Sequence, residues 1–323
     1  MRVPEEQGQP LLRQLVAASF GDMNNPETVT FYMEPELCES AQAGKHNFIG
    51  KLAGVMRAAG MEVMYAPFGP RGAPDREGWS MSHIKTPPDG QGLCFRRAYH
   101  YPFWQIELSS ERWAWDVSQA PFDPDPSQAK EAARFYGFWQ KRLFGDAAQK
   151  LTRDGTVYIP LQGRLLDHRP FQICSPIEMV ENCLAHTSGD VVAALHPNER
   201  YKDAELSALK ALEQRHKRIT VQTGGMADLL ARCDYVVTQN SSVGFNGYFF
   251  GKPALLFRKA DFHHIAVQAD MNDLSASFAA VQSAAPDYAA YIHWYWQKNS
   301  INAGRPEAEE MIAQRLRRFG WPV

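Results

Sequence analysis

The chain has 323 residues, of which 45% are hydrophobic, 12% aromatic and 22% charged. With 34 basic and 36 acidic residues its net charge is −2, which is unlike the broadly basic surface of a nucleic-acid-binding protein. The 23 glycines and 21 prolines are ordinary numbers and exclude a collagen-like or wholly disordered chain. At roughly 100–200 residues per domain, the length predicts about two domains.

The sequence also bears on the cellular compartment. No stretch approaches 18 consecutive apolar residues, and Met1–Glu6 carries acids where a signal peptide has basic residues. The five cysteines are odd in number, widely spaced and form no Cys-x-x-Cys pair. We therefore expect buried free thiols in a cytoplasmic protein, without a disulfide framework or a zinc site.

The first region, to about residue 150, predicts one β-α-β unit followed by less regular chain. The predicted segments are an apolar helical pattern at residues 11–16, a strand at Thr28–Met33, a helix at Asn47–Ala59, strands at Glu62–Ala66 and near Trp104–Leu108, and a helix at Gln128–Phe144. Residues 67–127 are rich in proline, glycine and tryptophan and give few other signals.

The second region alternates strands with helices. Strands are predicted at Thr156–Pro160, Val191–Leu195, Arg218–Val221, Tyr235–Thr238 and Pro253–Phe257, and helices at Ile177–His186, Ala204–His216, Met226–Arg232 and Val243–Phe250. Two more helical patterns follow, at Tyr288–Gln297 and Pro306–Phe319. Such alternation with short loops is typical of a parallel, doubly wound sheet.

We therefore predict an α/β protein with two Rossmann-like, doubly wound domains and a C-terminal helical tail. The expected boundaries are 1–150 for the first domain, 151–285 for the second, and 286–323 for the helices, which we expect to pack back on the first domain. Ligands of such sheets bind beyond the carboxyl ends of the strands. The candidate functional residues are therefore those that follow each strand of the second region.

The loop after Thr156–Pro160 contains Gln162, Gly163, Arg164 and Asp167. It combines an amide, a flexible glycine, a cation and a carboxylate at one strand end. The alternative is an ordinary polar surface loop, since loops are polar in general.

The loop after Val191–Leu195 begins with His196 and Pro197 and continues to Glu199. An imidazole at a strand end, followed by a proline that fixes the turn, can hold a hydrogen-bond donor toward an anion. A single histidine can equally be a structural residue. Glu199 could cap the next helix or accept a hydrogen bond from a ligand hydroxyl.

The strand at Arg218–Val221 is followed by Thr223, Gly224 and Gly225. A glycine pair before a helix exposes backbone N–H groups that suit a phosphate. The same pair can also be a simple turn.

The strand at Tyr235–Thr238 is followed by a polar run that contains Asn240, Ser241 and Ser242. Asn240 or Ser241 suits the N-cap of the next helix, and the hydroxyls offer donors at its positive end. Capping needs only one such residue, whereas four polar residues, Gln239 to Ser242, stand in succession here. The run therefore favours a ligand site.

Lys259 comes shortly after the last predicted strand, and the adjacent histidines His263 and His264 come four and five residues after Lys259. Adjacent histidines point in different directions on most backbones, so we expect no metal site here. The sequence has no Gly-x-Gly-x-x-Gly, no Walker lysine loop, no Gly-x-Ser-x-Gly and no His-Glu-x-x-His motif.

Three short motifs follow one another along the second region. They are Pro160-Leu161-Gln162 with Asp167 downstream, His196-Pro197-x-Glu199, and the run Val237–Gly244 followed by Gly251-Lys252-Pro253. Together they resemble bacterial capsule polysaccharide biosynthesis proteins, which are Kdo-transferase-type enzymes of GT-B architecture that use CMP-activated sugars. The resemblance covers roughly residues 155–265.

The resemblance implies a metal-independent glycosyltransferase without a cofactor, whose donor substrate is a nucleotide sugar, CMP-activated and Kdo-like. It implies a glycan or glycolipid acceptor held by the first domain, and leaves open a peripheral association with the capsule assembly machinery at the inner membrane. Catalysis would fall to Asp167, His196 and Glu199. The residues expected to bind substrate are Gln162, Gly163, Arg164, Pro197, Thr223, Gly224, Gly225, Asn240, Ser241, Ser242 and Lys259.

Two other functions compete with transfer. One is an epimerase or hydrolase of GT-B fold that acts on a nucleotide sugar, and it would turn over its substrate without an acceptor. The other is a non-catalytic protein of capsule assembly or export that binds a glycan or nucleotide without turnover.

Overall fold

A computed structural model describes residues 27–69, 78–87, 92–169 and 172–323. The apolar pattern at residues 11–16 therefore lies outside the described residues. The chain forms two compact units. The first contains the described residues up to Asp116 together with Trp296–Val323, and the second is Val117–Tyr295.

The elements up to residue 119 include five strands of the first sheet, and the last helix among them crosses the boundary between the two units after Asp116. They are β1 (Thr28–Met33), α1 (Pro35–Gln42), α2 (Asn47–Ala58), β2 (Glu62–Pro67), β3 (Trp79–His83), β4 (Leu93–Arg97), β5 (Phe103–Glu107) and α3 (Asp116–Gln119).

The elements that follow build the second sheet and its helices. They are α4 (Ala129–Phe144), β6 (Val157–Leu161), α5 (Pro176–His186), β7 (Val191–Leu195), α6 (Asp203–Arg215), β8 (Ile219–Thr223), α7 (Met226–Arg232), β9 (Tyr235–Thr238), α8 (Ser242–Tyr248), β10 (Ala254–Leu256), β11 (Val267–Gln268), α9 (Leu274–Ser283) and α10 (Tyr288–Ile292). A π-helical segment at His293–Lys298 leads to β12 (Ile301–Asn302) and α11 (Ala308–Arg318).

The first sheet has the strand order β12-β5-β4-β3-β1-β2. Strands β2, β1, β3 and β4 are parallel, whereas β5 runs antiparallel to β4, and β12 runs antiparallel to β5. The connection from Arg97 to Phe103 is too short for the crossover that a parallel neighbour needs, so the chain turns back as a hairpin. This antiparallel edge is a difference from a purely doubly wound sheet.

The last segment of the chain completes the first unit. Ile301 of β12 is paired with Trp104 of β5. Arg315 of α11 lies 2.8 Å from Glu107 and 2.6 Å from Asp116 through its guanidinium nitrogens. Strand pairing and the contacts of Arg315 therefore hold residues before Val117 and residues after Tyr295 in one unit.

The second sheet has the order β11-β10-β9-β6-β7-β8, and every pair in it is parallel. Leu161 at the end of β6 is paired with Leu195 at the end of β7, which in turn is paired with Thr223 at the end of β8. Leu256 of β10 is paired with Thr238 of β9. The carboxyl ends of these strands therefore meet at one edge, as the sequence predicted.

Local sequence determines where the helices around this sheet begin. Before α5, the Ser175 hydroxyl accepts from the Glu178 N–H at 3.2 Å, and the Glu178 carboxylate accepts from the Ser175 N–H at 2.7 Å. This reciprocal capping box satisfies two N–H groups of the first turn. The helix then buries Met179, Val180 and Cys183 against the sheet.

All five cysteines are buried free thiols, as the spacing predicted. Burial raises the pKa of the Cys94 thiol and of the Cys233 thiol to about 12. Neither thiol is therefore ionised near neutral pH. Among the helices in the described part of the chain, none is long and apolar enough to span a membrane.

Candidate functional site

The candidate site residues follow the carboxyl ends of the second sheet. Gln162 and Gly163 come directly after β6 and are half-buried, whereas His196, Pro197 and Glu199 after β7 are exposed. The remaining candidates are the exposed residues Arg164, Asp167, Thr223, Gly225, Ser242 and Lys259, the half-buried Gly224 and Asn240, and the buried Ser241. The parallel register thus brings loops from five strands to one edge.

The loops after β6 and β7 are in direct contact. A β-carbon built on Gly163 would lie 2.8 Å from Oε2 of Glu199 and 3.5 Å from its carboxyl carbon. Only glycine at position 163 allows the Glu199 carboxylate to lie where it does without a shift. The structure therefore brings together two residues that the sequence placed in separate motifs.

Tyr201 joins the same two strand ends through hydrogen bonds of its hydroxyl. The backbone N–H of His196 donates to the Tyr201 hydroxyl oxygen at 2.8 Å, and that hydroxyl donates to the Leu161 carbonyl at 3.3 Å. Burial raises the pKa of Tyr201, so the phenol keeps the proton that it donates. Sequence reasoning missed Tyr201 because its only signal was a tyrosine five residues after a histidine.

The His196 ring is held in one tautomer. Its Nδ1 accepts a hydrogen bond from the Asn198 N–H at 3.2 Å. A neutral imidazole that accepts at Nδ1 carries its proton on Nε2. His196 thus offers an exposed N–H donor at the strand edge.

Asp167 lies in a turn with Arg164. Arg164 has a positive φ of 66°, and its Nε lies 3.2 Å from Oδ2 of Asp167. Both side chains are well exposed, at 67% and 47%, so the ion pair contributes little to stability. Its effect is to orient the Asp167 carboxylate.

Arg169 is a half-buried cation beside the same carboxylates. Burial lowers the pKa of its guanidinium and Arg164 lowers it further, whereas the charges of Asp167 and Glu199 raise it. Arg169 therefore lies within electrostatic reach of both acids that the sequence analysis singled out. No pattern in the sequence had pointed to it.

Glu205 supports the loop after β6 from the helix side. It is almost fully buried, and its Oε1 accepts the backbone N–H of Leu165. Its Oε2 accepts the backbone N–H of Lys202 at 2.7 Å, at the start of α6. The helix is thus capped by Glu205, three residues after its N-cap, and not by Glu199.

The two glycines after β8, Gly224 and Gly225, have different structural roles. The Gly224 N–H donates to the Leu195 carbonyl at 3.0 Å and so extends the pairing with β7. Gly225 has a φ of 79° and is the N-cap residue of α7. The side-chain amide of Gln222 donates to the Gly224 carbonyl at 3.2 Å, which fixes the turn.

The polar run after β9 is partly structural. Ser241 is the N-cap of α8, since its hydroxyl accepts from the Val243 N–H at 3.3 Å. Its own N–H donates to the Thr238 hydroxyl at 3.2 Å. Gln239 is buried in a chain of amides, where it accepts from Gln172 and donates to the Cys174 carbonyl at 2.6 Å. Asn240 and Ser242 are the more accessible members of the run.

The basic and histidine residues near the last strands have different environments. Lys252 is buried with its Nζ 2.5 Å from the Thr152 carbonyl, and burial lowers its pKa. His264 binds the Ala120 carbonyl and the Tyr291 hydroxyl, and burial lowers its pKa to about 4. Within residues 27–69, 78–87, 92–169 and 172–323, no group of three or more His, Cys, Asp or Glu side chains could hold a metal ion.

Comparison with known proteins identifies the fold. No family model matches the chain, and no curated protein matches its sequence. A Thermosulfurimonas dismutans structure described as KpsC, beta Kdo 2,7 transferase, has 10% sequence identity and a TM-score of 0.53, with 89% of this chain and 99% of that chain covered. The predicted GT-B-like fold of two α/β domains with C-terminal helices is thereby confirmed, and so is the resemblance to Kdo transferases at the level of fold.

Two further structures are similar at lower scores. A second Thermosulfurimonas dismutans structure, KpsC, beta Kdo 2,4 transferase, is 12% identical with a TM-score of 0.46, covering 80% of this chain and 92% of that one. A UDP-GlcNAc 2-epimerase from Neisseria meningitidis bound to UDP-GlcNAc is 11% identical with a TM-score of 0.36, covering 90% of this chain and 99% of that one.

Proposed function

We propose that the protein is a glycosyltransferase that transfers a Kdo-like sugar from a CMP-activated donor to a glycan or glycolipid acceptor. We include in the proposal a role in capsule or surface polysaccharide synthesis, in the cytoplasm and at the periphery of the inner membrane. The observation that supports it best is the close approach of Gly163 and Glu199, together with a His196 ring that the Asn198 N–H orients in the same loop as Glu199. A carboxylate and an N–H donor thereby face one edge of a parallel sheet, where ligands of such sheets bind.

The leaving group needs donors, because cleavage of a sugar–phosphate bond places negative charge on the phosphate. The His196 Nε2–H is one donor, and the Gly225 N–H and the Ser242 hydroxyl are two others near neighbouring strand ends. Since the Gly224 N–H already binds Leu195, we assign the phosphate contact in that loop to Gly225. Lys259 adds a positive charge at the same edge.

The sugar carbon becomes cationic in such a transition state, and an anionic side chain stabilises it. Asp167 is our candidate nucleophile or base, with Arg164 at 3.2 Å to orient it. Glu199 is the second carboxylate of the edge. With these protein donors and acids, the proposed reaction does not need a divalent metal.

The proposal is tested by CMP release. The protein is incubated with a panel of CMP-, UDP- and GDP-activated sugars, with and without a Kdo-terminated glycan or glycolipid. We expect CMP release and sugar incorporation that depend on the acceptor. Turnover without an acceptor would indicate an epimerase or hydrolase, and binding without turnover would indicate a non-catalytic protein.

A matched pair of variants connects the activity to this edge. His196→Ala removes the proposed donor, whereas His216→Ala changes an exposed histidine that precedes β8, at the other end of the strands. We expect only the first variant to lose CMP release. Equal loss in both would argue against the site.

A further inference from the structure

A second group of titratable side chains lies at the carboxyl ends of the first sheet. Glu34 follows β1, His83 ends β3 and Arg97 ends β4, and these three strands are parallel neighbours. His46 is the N-cap residue of α2. We call Glu34, His46, His83 and Arg97 the first-unit cluster; none of them belongs to the motifs of the second unit.

His83 in this cluster is held by a carboxylate. Its Nδ1 lies 2.6 Å from Oε2 of Glu34, so Nδ1–H donates to the carboxylate. The neutral ring then presents its lone pair on Nε2, the arrangement in which a carboxylate orients an imidazole as a hydrogen-bond acceptor. The His83 side chain is 19% exposed and that of Glu34 39%, so a ligand has access.

His46 presents the opposite hydrogen-bonding atom. Its Nδ1 accepts from the Ile49 N–H at 3.2 Å, so its proton lies on Nε2 and is available for donation. Burial lowers the pKa of His46, and the charges of Arg97 and His83 lower it further. The cluster thus combines one acceptor, one donor, one permanent cation and the Glu34 carboxylate, which is bound to His83.

Two buried aromatic rings connect the members. The His83 ring lies 5.3 Å from the Phe95 ring, Phe95 lies 6.4 Å from Trp104, and Trp104 lies 5.4 Å from the His46 ring. The Arg97 guanidinium carbon is 5.7 Å from the centre of the Trp104 ring. His46, His83 and Arg97 thus pack against one continuous set of aromatic rings.

The backbone beside the cluster is strained. Ile84, directly after His83, has a φ of 53°, and Tyr99, two residues after Arg97, has a φ of 71°. Among the residues that the structure describes, only Arg164 is another non-glycine residue with positive φ. Such strain is concentrated at functional sites, where the surrounding contacts maintain it.

We propose that the first-unit cluster binds an acidic sugar, with the carboxylate of the sugar on Arg97 and its hydroxyls between His46 and His83. Arginine binds carboxylates through two parallel N–H groups, and a hydroxyl can donate to His83 and accept from His46 at once. The inference deepens the proposed function and rests on it, because the proposed acceptor ends in an acidic sugar. Its test measures binding without sugar transfer, so the two proposals can fail independently.

The test uses the full chain with 13C label at the Cε1 atoms of its histidines. Glucuronate is the probe, with glucose as a control that lacks the carboxylate and acetate as a control that lacks the hydroxyls. We expect the His46 and His83 signals to shift in a saturable way, with a Kd for glucuronate about tenfold or more below that for either control. His46→Gln and His83→Gln assign the two signals.

Variants of arginine complete the experiment. Arg97→Gln should weaken glucuronate binding about tenfold, whereas Arg57→Gln, at an exposed position near the end of α2, should leave it unchanged. Both positions are exposed, so the melting temperature should not change. Absence of a shift in the wild-type protein, or a glucuronate Kd equal to that for acetate, would overturn the proposal. So would binding that Arg97→Gln does not weaken.

Discussion

Gly163 and Glu199 approach each other so closely that a β-carbon on the first would lie 2.8 Å from a carboxylate oxygen of the second. The two residues belong to loops that follow different strands, β6 and β7. Their contact therefore fixes the distance between the two loops that carry Gln162, Asp167 and His196. A substitution that adds one carbon at position 163 should displace the Glu199 carboxylate while leaving the stability of the fold nearly unchanged. It therefore tests the position of the carboxylate by itself.

Gly163→Ala should reduce activity without unfolding the protein. The new methyl group pushes away the end of a flexible side chain, so we expect the free energy of unfolding to change by less than about 1 kcal/mol. Misplacement of the carboxylate should slow transfer by about 10². Initial rates and urea unfolding, measured on the same preparation, check both values.

Gly137→Ala is the matched control. Gly137 lies in α4, is exposed, and has nothing within 4 Å of the position of a β-carbon. Alanine there should increase the free energy of unfolding by about 0.5–1 kcal/mol and leave the rate unchanged. A Gly163→Ala protein with the wild-type rate would show that the position of Glu199 is not important for transfer.

His196→Ala should lose transition-state stabilisation. Removing a donor to the leaving phosphate costs on the order of 2–4 kcal/mol, which is a decrease in kcat/KM of about 30-fold to 10³-fold. The bond to Tyr201 comes from the His196 backbone, and the lost ring bond to the Asn198 N–H is exposed to solvent, so the melting temperature should be nearly unchanged. A destabilised variant that keeps full activity in its folded fraction would make His196 a structural residue.

Asp167→Asn should abolish transfer and leave binding of the CMP-sugar nearly unchanged. The substitution keeps the volume of the side chain and removes the charge that the transition state requires. Its partner Arg164 is exposed, so loss of the ion pair should hardly affect stability. Rates and calorimetric Kd values check the two halves of this prediction. If Asp167→Asn turned over at the wild-type rate, Asp167 would not be the catalytic carboxylate, and Glu199 would be the next candidate.

Glu107→Gln should change the pH dependence of stability. Burial raises the pKa of Glu107 from 4.5 to about 7, with Arg315 opposing and Asp116 adding to the shift. Between these two pH values the folded protein retains a proton that the unfolded chain releases, so Glu107 makes the free energy of unfolding fall as pH rises. The variant should lack this contribution.

Urea unfolding at several pH values between 4.5 and 7.5 measures the effect of Glu107→Gln as the difference between variant and wild type. Taking this difference removes the contributions that other groups make to the pH dependence in both proteins. One such group is His264, whose pKa of about 4 makes the free energy of unfolding rise with pH over part of the same interval. Glu111→Gln, at an exposed position of the same unit, should follow the wild type. A difference that does not increase with pH would contradict the prediction.

Much of the second sheet could be predicted from sequence because its strands are short apolar runs between turn residues. The bounds of β7, α7 and β9 agree with the predicted ones residue for residue. In the first unit, α1, β3 and β4 were not predicted. Strand β3 includes Ser80 and Ser82, which are buried at 4% and 1% exposure and resemble a loop in sequence. Their burial depends on neighbours that no local pattern specifies.

Only part of the candidate site could be predicted from the sequence. Residues that directly follow strands could be found, because parallel strands bring their carboxyl ends together. Tyr201, Arg169 and Glu205 act through contacts with other loops, and the Glu34–His83 pair joins residues 49 positions apart. Such pairs depend on the tertiary structure, and sequence spacing alone does not predict them.

The pairing of β12 with β5 also determines the order in which the protein can be completed on the ribosome. Strand β5 gains its second neighbour only after Val117–Tyr295 has been synthesised, which at roughly 5–20 residues per second takes about 10 to 40 s. During that interval the N-terminal strands have an unpaired edge, which is where a nascent chain associates with other chains. The first unit can therefore be completed only after the second has been synthesised.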